Sequence, residues 1–142
     1  MNHTSKWLFT TSFFIVSLYS SNSFAHELVL TVDNIQNTKG VLMVALHNAE
    51  TAYKSNTGTF AGKKVAVTNK TMTLSFSNLP AGDYAVKLFQ DENENGSLDT
   101  NAIGIPKEGY GFSNNGGAMG QPSFSAAKFS VDADTQITIH LR

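Results

Sequence analysis

Asp91, Asn93, Asn95 and Asp99 put oxygen-bearing side chains at the first, third, fifth and ninth positions of one short segment, with Gly96 at the sixth. That is the front of a calcium loop. A hard cation takes six to eight oxygens at about 2.3–2.6 Å, and alternate residues of a tightly curled segment point theirs inward. Gly96 permits the sharp turn that closes the curl, and the backbone carbonyl of Ser97 adds a ligand. Asp91, Glu92, Glu94 and Asp99 lie together with no base between Lys87 and Lys107, a cluster that a cation would neutralise. The pattern departs from a full EF-hand at two places. Ala102 stands where a bidentate Glu belongs, and the residues before Asp91 read as a strand rather than a helix. Asn101 is therefore the candidate that completes the shell. The alternative is a turn in which Asn and Asp side chains bond their own backbone.

Other side chains suggest weaker chemistry. Cleavage after Ala25 would make His26 the first residue, so its α-amine and imidazole together could chelate copper, with His47 near it. Asp91 and Asp99 could serve a small hydrolase as paired carboxylates, but their Asn-rich setting suits a cation better. No Gly-x-Ser-x-Gly or His-Glu-x-x-His is present, and Gly109-Tyr-Gly111 fails the dinucleotide pattern because Asn114 replaces the third glycine. Tyr110 and Phe112, set between glycines, could stack on a sugar or peptide, or plug their loop onto the edge of a sheet. Tyr84 follows a Pro80-Ala-Gly82 turn and reads as a corner residue whose hydroxyl bonds backbone.

These residues need a frame. The chain has 142 residues, of which 41% are hydrophobic and 15% charged, enough for one packed domain and too apolar for a disordered one. A net charge of −1 offers nothing to neutralise a phosphate backbone, so nucleic acid is not an expected partner. The absence of Cys excludes disulfides and thiolate metal sites. Residues 1–25 read as a signal peptide: Lys6, an apolar run from Trp7 to Tyr19, then Ser23-Phe24-Ala25 with small residues where a peptidase reads. The run is shorter than the roughly 20 residues a membrane span needs. The expectation is a single exported domain over 26–142, periplasmic or secreted, with no transmembrane segment in the mature chain.

That domain reads as strands. Leu28, Leu30 and Val32 alternate with polar or exposed positions, and Val41 to His47 is nearly all apolar. A hairpin joining the two would pair Leu28 with Leu46 and Leu30 with Val44, placing His47 opposite Glu27. A short helical turn fits Ala49 to Lys54. Further strands are expected at Lys63–Asn69, Thr71–Ser77, from Tyr84 onward, Ala127–Val131 and Gln136–Leu141. His140 falls on the outward face of the last. The pattern predicts an all-β fold, a seven-stranded antiparallel Greek-key β-sandwich. Asp91 to Ser125 holds 7 of the 11 glycines and reads as one long loop. It carries Tyr110, Phe112 and Phe124, which makes it an ordered loop packing its own side chains.

Three blocks carry a family resemblance: Leu79-Pro80-x-Gly82-x-Tyr84, Asp91 through Asn101, and Gly104-Ile-Pro106-Lys-Glu108-Gly109-Tyr110-Gly111-Phe112-Ser-Asn114-Asn115 with Pro122-Ser-Phe124. Together they resemble a family of exported bacterial proteins known as domain of unknown function number twenty-one forty-one. Its fold is similar to transthyretin-like and carboxypeptidase-regulatory-like sandwiches. The resemblance implies export and a β-sandwich, and it supplies no catalytic residue. The expected function is a non-enzymatic, calcium-stabilised module with a binding or envelope-associated role toward a protein, peptide or glycan.

Overall fold

A computed structural model describes residues 25–142. All but the last residue of the expected signal peptide lie outside them. Eight strands form two sheets. In the first, β1 (His26–Asp33) lies between β4 (Met72–Leu79) and β8 (Thr135–His140). The second runs β3 (Ala61–Ala66), β2 (Val41–His47), β5 (Gly82–Asp91) and β6 (Tyr110–Phe112), with β7 (Phe129–Val131) paired to the start of β5. Leu28, Leu30, Val32, Leu74, Phe76 and Ile139 of the first sheet meet Leu42, Val44, Leu46, Val86 and Leu88 of the second in one core. Alternation along each strand sends these side chains inward and leaves the other set on an outer face.

The fold is all-β, as expected, with three corrections. Among the described residues there are eight strands rather than seven. The pairing is mixed, because β1 and β8 run parallel. The β1–β2 hairpin does not form: β1 pairs with β4 and β8, while β2 pairs with β3 and β5. His47 therefore lies opposite Ala85, not Glu27. Both strands turn Leu and Val inward whether they are neighbours in one sheet or faced across the core, so period two cannot choose between the pairings. The connection decides. Ile35 is buried, its N–H donates to the Lys70 carbonyl, and the chain crosses between the sheets there.

The long loop is ordered but is not strand-free. β6 lies within it, followed by a tight turn at Ser113–Asn115. β6 escapes a pattern reading because it is three residues long and its inward position is glycine. A Cβ on Gly111 would stand 2.6 Å from Ile139 Cγ2, so the absent side chain is what admits the strand to the core. Ser113 accepts the Val86 N–H at 2.9 Å and donates to the Ala127 carbonyl at 2.5 Å. Asn114 donates to the Ala126 and Lys128 carbonyls, and Asn115 accepts the His140 N–H. The glycine- and Asn-rich block thus ties the loop to β5, β8 and the helical turn α2 (Phe124–Ala127). A second short helix, α1 (Glu50–Ser55), follows β2 as expected. The Tyr84 hydroxyl donates to the Pro80 carbonyl at 2.8 Å, the expected corner.

Candidate functional site

The Asp91 loop curls as its spacing requires. Asp91 ends β5 fully buried, its carboxylate accepting the N–H groups of Asn95 at 3.1 Å and Gly96 at 2.8 Å. Gly96 sits at φ +82°, where L-residues are strained. Above it, Asn93 and Asn95 donate their side-chain amides to the two oxygens of Asp99, at 2.7 and 3.0 Å. Their amide oxygens accept backbone N–H groups of Asn95 and Ser97. Three expected ligand side chains therefore converge, with Asp91 beneath them. Asn101 does not join: its side-chain oxygen accepts the Ile103 and Ile105 N–H groups and caps a turn of its own. Among the described residues, no group of three or more His, Asp or Glu side chains is gathered for a metal ion.

One acid was missed in the sequence. Glu108 is 7% exposed and accepts the Glu92 N–H at 2.8 Å and the Asp99 N–H at 2.9 Å. It braces both ends of the curl from outside it. Its signal was its place as the single acid of the Gly104–Asn115 block, but nine residues separate it from Asp99 and no ligand spacing points there.

The larger feature is a groove of about 1080 Å³ on the outer face of the five-stranded sheet. The outward residues of β3, β2, β5 and β6 make its floor, in two rows set by register. Met43, Phe89 and Tyr110 form one row; Gly62, Ala45, Lys87 and Phe112 form the other. Gly96, Ser97 and Leu98 of the Asp91 loop close one end. The other end lies by the cap that Tyr53 of α1 and Phe124 of α2 make over Ala85. Tyr110 and Phe112, expected either to stack on a ligand or to plug an edge, do bind the loop to β5 as strand β6, and both side chains line the groove. Phe112 is largely covered by the turn at Gly117, whose Cβ would meet the Phe112 ring at 2.6 Å.

A polar cluster sits at the capped end. Lys87 Nζ donates to the Tyr53 carbonyl, to Asn56 Oδ1 at 2.5 Å and to Gln121 Oε1 at 3.0 Å, and lies 4.2 Å from the centre of the Tyr53 ring. Lysine commonly serves the carbonyls at the end of a helix in this way. His47 is 1% exposed, and its ring meets that of Tyr53 edge-on at 5.7 Å. His47 Nδ1 and the Tyr53 hydroxyl are both buried and have no hydrogen-bond partner among the described residues. Burial, then the nearby Lys87 ammonium, lowers the His47 pKa. Burial lowers that of Lys87 and pushes the Tyr53 phenol to about 12. The cluster is a cation beside a neutral imidazole under an aromatic cap. His26, the other expected copper ligand, lies in the three-stranded sheet opposite Leu79. His140 faces outward and pairs with Asp33 at 2.5 Å.

Residues 30–139 match the family described as uncharacterized protein conserved in bacteria (DUF2141). No curated protein and no solved structure matches the chain. Among the described residues no helix is long and apolar enough to cross a membrane.

Proposed function

The chain belongs to this bacterial family, and we propose that it is an exported, non-enzymatic binding module whose ligand lies in the groove on the five-stranded sheet. The observation that carries the reading is the groove itself: an open, mostly apolar groove of about 1080 Å³, a little above the roughly 300–1,000 Å³ in which small molecules are held. Export rests on Lys6, the apolar run and Ser23-Phe24-Ala25. The likeness to transthyretin-like sandwiches is part of the proposal, supported by two facing sheets and the Tyr84 corner. Calcium is the cation we assign to the Asp91 loop, with Asp91, Asn93, Asn95, Asp99 and the Ser97 carbonyl supplying oxygens. The spacing of these residues and the closeness of Asn93 and Asn95 to Asp99 support this; without the ion the two amides donate to Asp99, so calcium would have to turn their oxygens inward. Glu108 would hold the loop against the end of the groove.

Gly62 provides the test. A Cβ there would meet nothing nearer than the Val44 carbonyl oxygen at 3.6 Å, an ordinary contact, so a side chain at this position fills the groove without straining the strand. Nile red, a neutral apolar dye, should fluoresce with the wild type and lose that signal in Gly62→Leu, with unchanged circular dichroism. Equal fluorescence from both proteins would remove the groove as the binding site.

A further inference from the structure

The groove has a chemical polarity along its length. Lys63, Lys64 and Lys87 line it and no Asp or Glu does, although the chain has 11 acidic residues. Lys63 is committed elsewhere, its ammonium 5.4 Å from the centre of the Phe76 ring. Lys64 is exposed at the edge strand. Lys87 is the cation set into the floor, and all three of its acceptors are neutral. Two of them, Asn56 and Gln121, are exposed side chains, and Gln121 Nε2 also donates to the Tyr53 carbonyl, so a carboxylate would replace one of these neutral acceptors on the ammonium. Gly62 and Ala45 share its row, so small residues lie beside Lys87 across the sheet, while its ammonium sits at the Tyr53 end of the groove. Beyond it the floor is Met43 and Phe89, and the far wall includes Leu98.

We propose that this groove binds an amphipathic monoanion, a long-chain carboxylate, with its headgroup at Lys87 and its chain over Ala45, Met43 and Phe89 toward the Asp91 loop. The proposal rests on the groove being the ligand site and names the ligand class. A single recessed cation fits a single charge, and a partly desolvated ammonium favours a carboxylate through charge-assisted hydrogen bonds. The apolar floor suits a hydrocarbon chain. A glycan would find no polar side chain to pair with along Met43, Ala45 and Phe89. A peptide would fare no better, because on the face of a sheet the backbone N–H and C=O groups are already spent in the ladder.

The test is isothermal titration of the purified protein with decanoate, decanol and decyltrimethylammonium. Decanoate should bind about tenfold or more tightly than decanol, as a charge-assisted contact gives, and the cationic probe should not bind. Gly62→Leu should abolish decanoate binding, and Lys87→Met should bring decanoate down to decanol. Lys87 also holds α1, so the comparison of the three probes on the wild type stands independently of that variant. Equal affinities for decanoate and decanol, both lost in Gly62→Leu, would overturn the choice of a carboxylate and leave the groove reading intact. Decanoate binding that survives Gly62→Leu would place the anion elsewhere and overturn the proposal. Failure of all three probes would overturn it too, with the Nile red signal then deciding the groove separately.

Discussion

His47 shows what a single side chain contributes. It is buried at the end of β2 between the Tyr53 ring and the Lys87 ammonium, and both its burial and that charge hold its pKa below the ordinary value. In the unfolded chain the imidazole takes up a proton near pH 6.5, while in the fold it does so only at lower pH. The unfolded state therefore binds more protons in that interval, and the contribution of His47 to stability is full above about pH 6.5 and declines as pH falls through it. Urea midpoints at about pH 7.5 and about pH 5.5 should show a larger acid loss in wild type than in His47→Phe. An identical loss in the two proteins would contradict the assignment. Two glycines make a second comparison at this scale. Gly96, at φ +82°, has nothing within 4 Å of a Cβ, so Gly96→Ala should cost about 1–2 kcal/mol from backbone strain alone. Gly40, at φ +63°, would bring a Cβ within 1.9 Å of the Asp91 carbonyl oxygen. Gly40→Ala should add about 1–3 kcal/mol of overlap to that strain. Denaturant melts giving equal costs would mean that the chain before β2 does not brace the start of the Asp91 loop.

At the scale of elements, the strands were legible and their partners were not. Val41 to His47 is β2 to the residue, and β4 begins at Met72, one residue into the alternating run from Thr71, because period two is a local property of a half-buried strand. Pairing is not local, and inward Leu and Val on both β1 and β2 satisfy either arrangement. β6 was invisible because its core-facing residue is Gly111, whose role is the space it leaves for Ile139. The Asp91 curl was readable from spacing, since each of its contacts spans few residues, whereas its Glu108 brace was not. The same locality makes the curl testable as a unit. Calcium at about 100 times a dissociation constant in the range of roughly 10⁻⁴ to 10⁻³ M should stabilise the fold by about 2.7 kcal/mol. Asp99→Ala should lose most of that gain and keep the metal-free fold. A wild-type melting temperature equal in chelator and in calcium would leave Asp91 to Asp99 as a hydrogen-bonded turn.

At the scale of the whole molecule, the sandwich uses one side of the second sheet to fold and leaves the other to be occupied. The inner residues of β2 and β5 complete the core, while Met43, Ala45, Lys87 and Phe89 remain half-buried on the outer face. The two irregular parts of the chain, the α1–α2 cap and the Asp91 loop, stand at the ends of that face and turn it into a groove. No stretch of sequence announces it, because its floor and walls come from four strands and several loops brought together only by folding. Its position makes the central claim measurable residue by residue. Decanol, which tests the groove without the charge, should be titrated into the ¹⁵N-labelled protein while amide shifts are followed. The account predicts perturbations centred on Gly62, Ala45, Lys87 and Phe112, with the outer face of the three-stranded sheet at Val29, Thr31 and Thr73 unmoved. Perturbations centred on that opposite face, or none at Gly62 and Ala45, would contradict it.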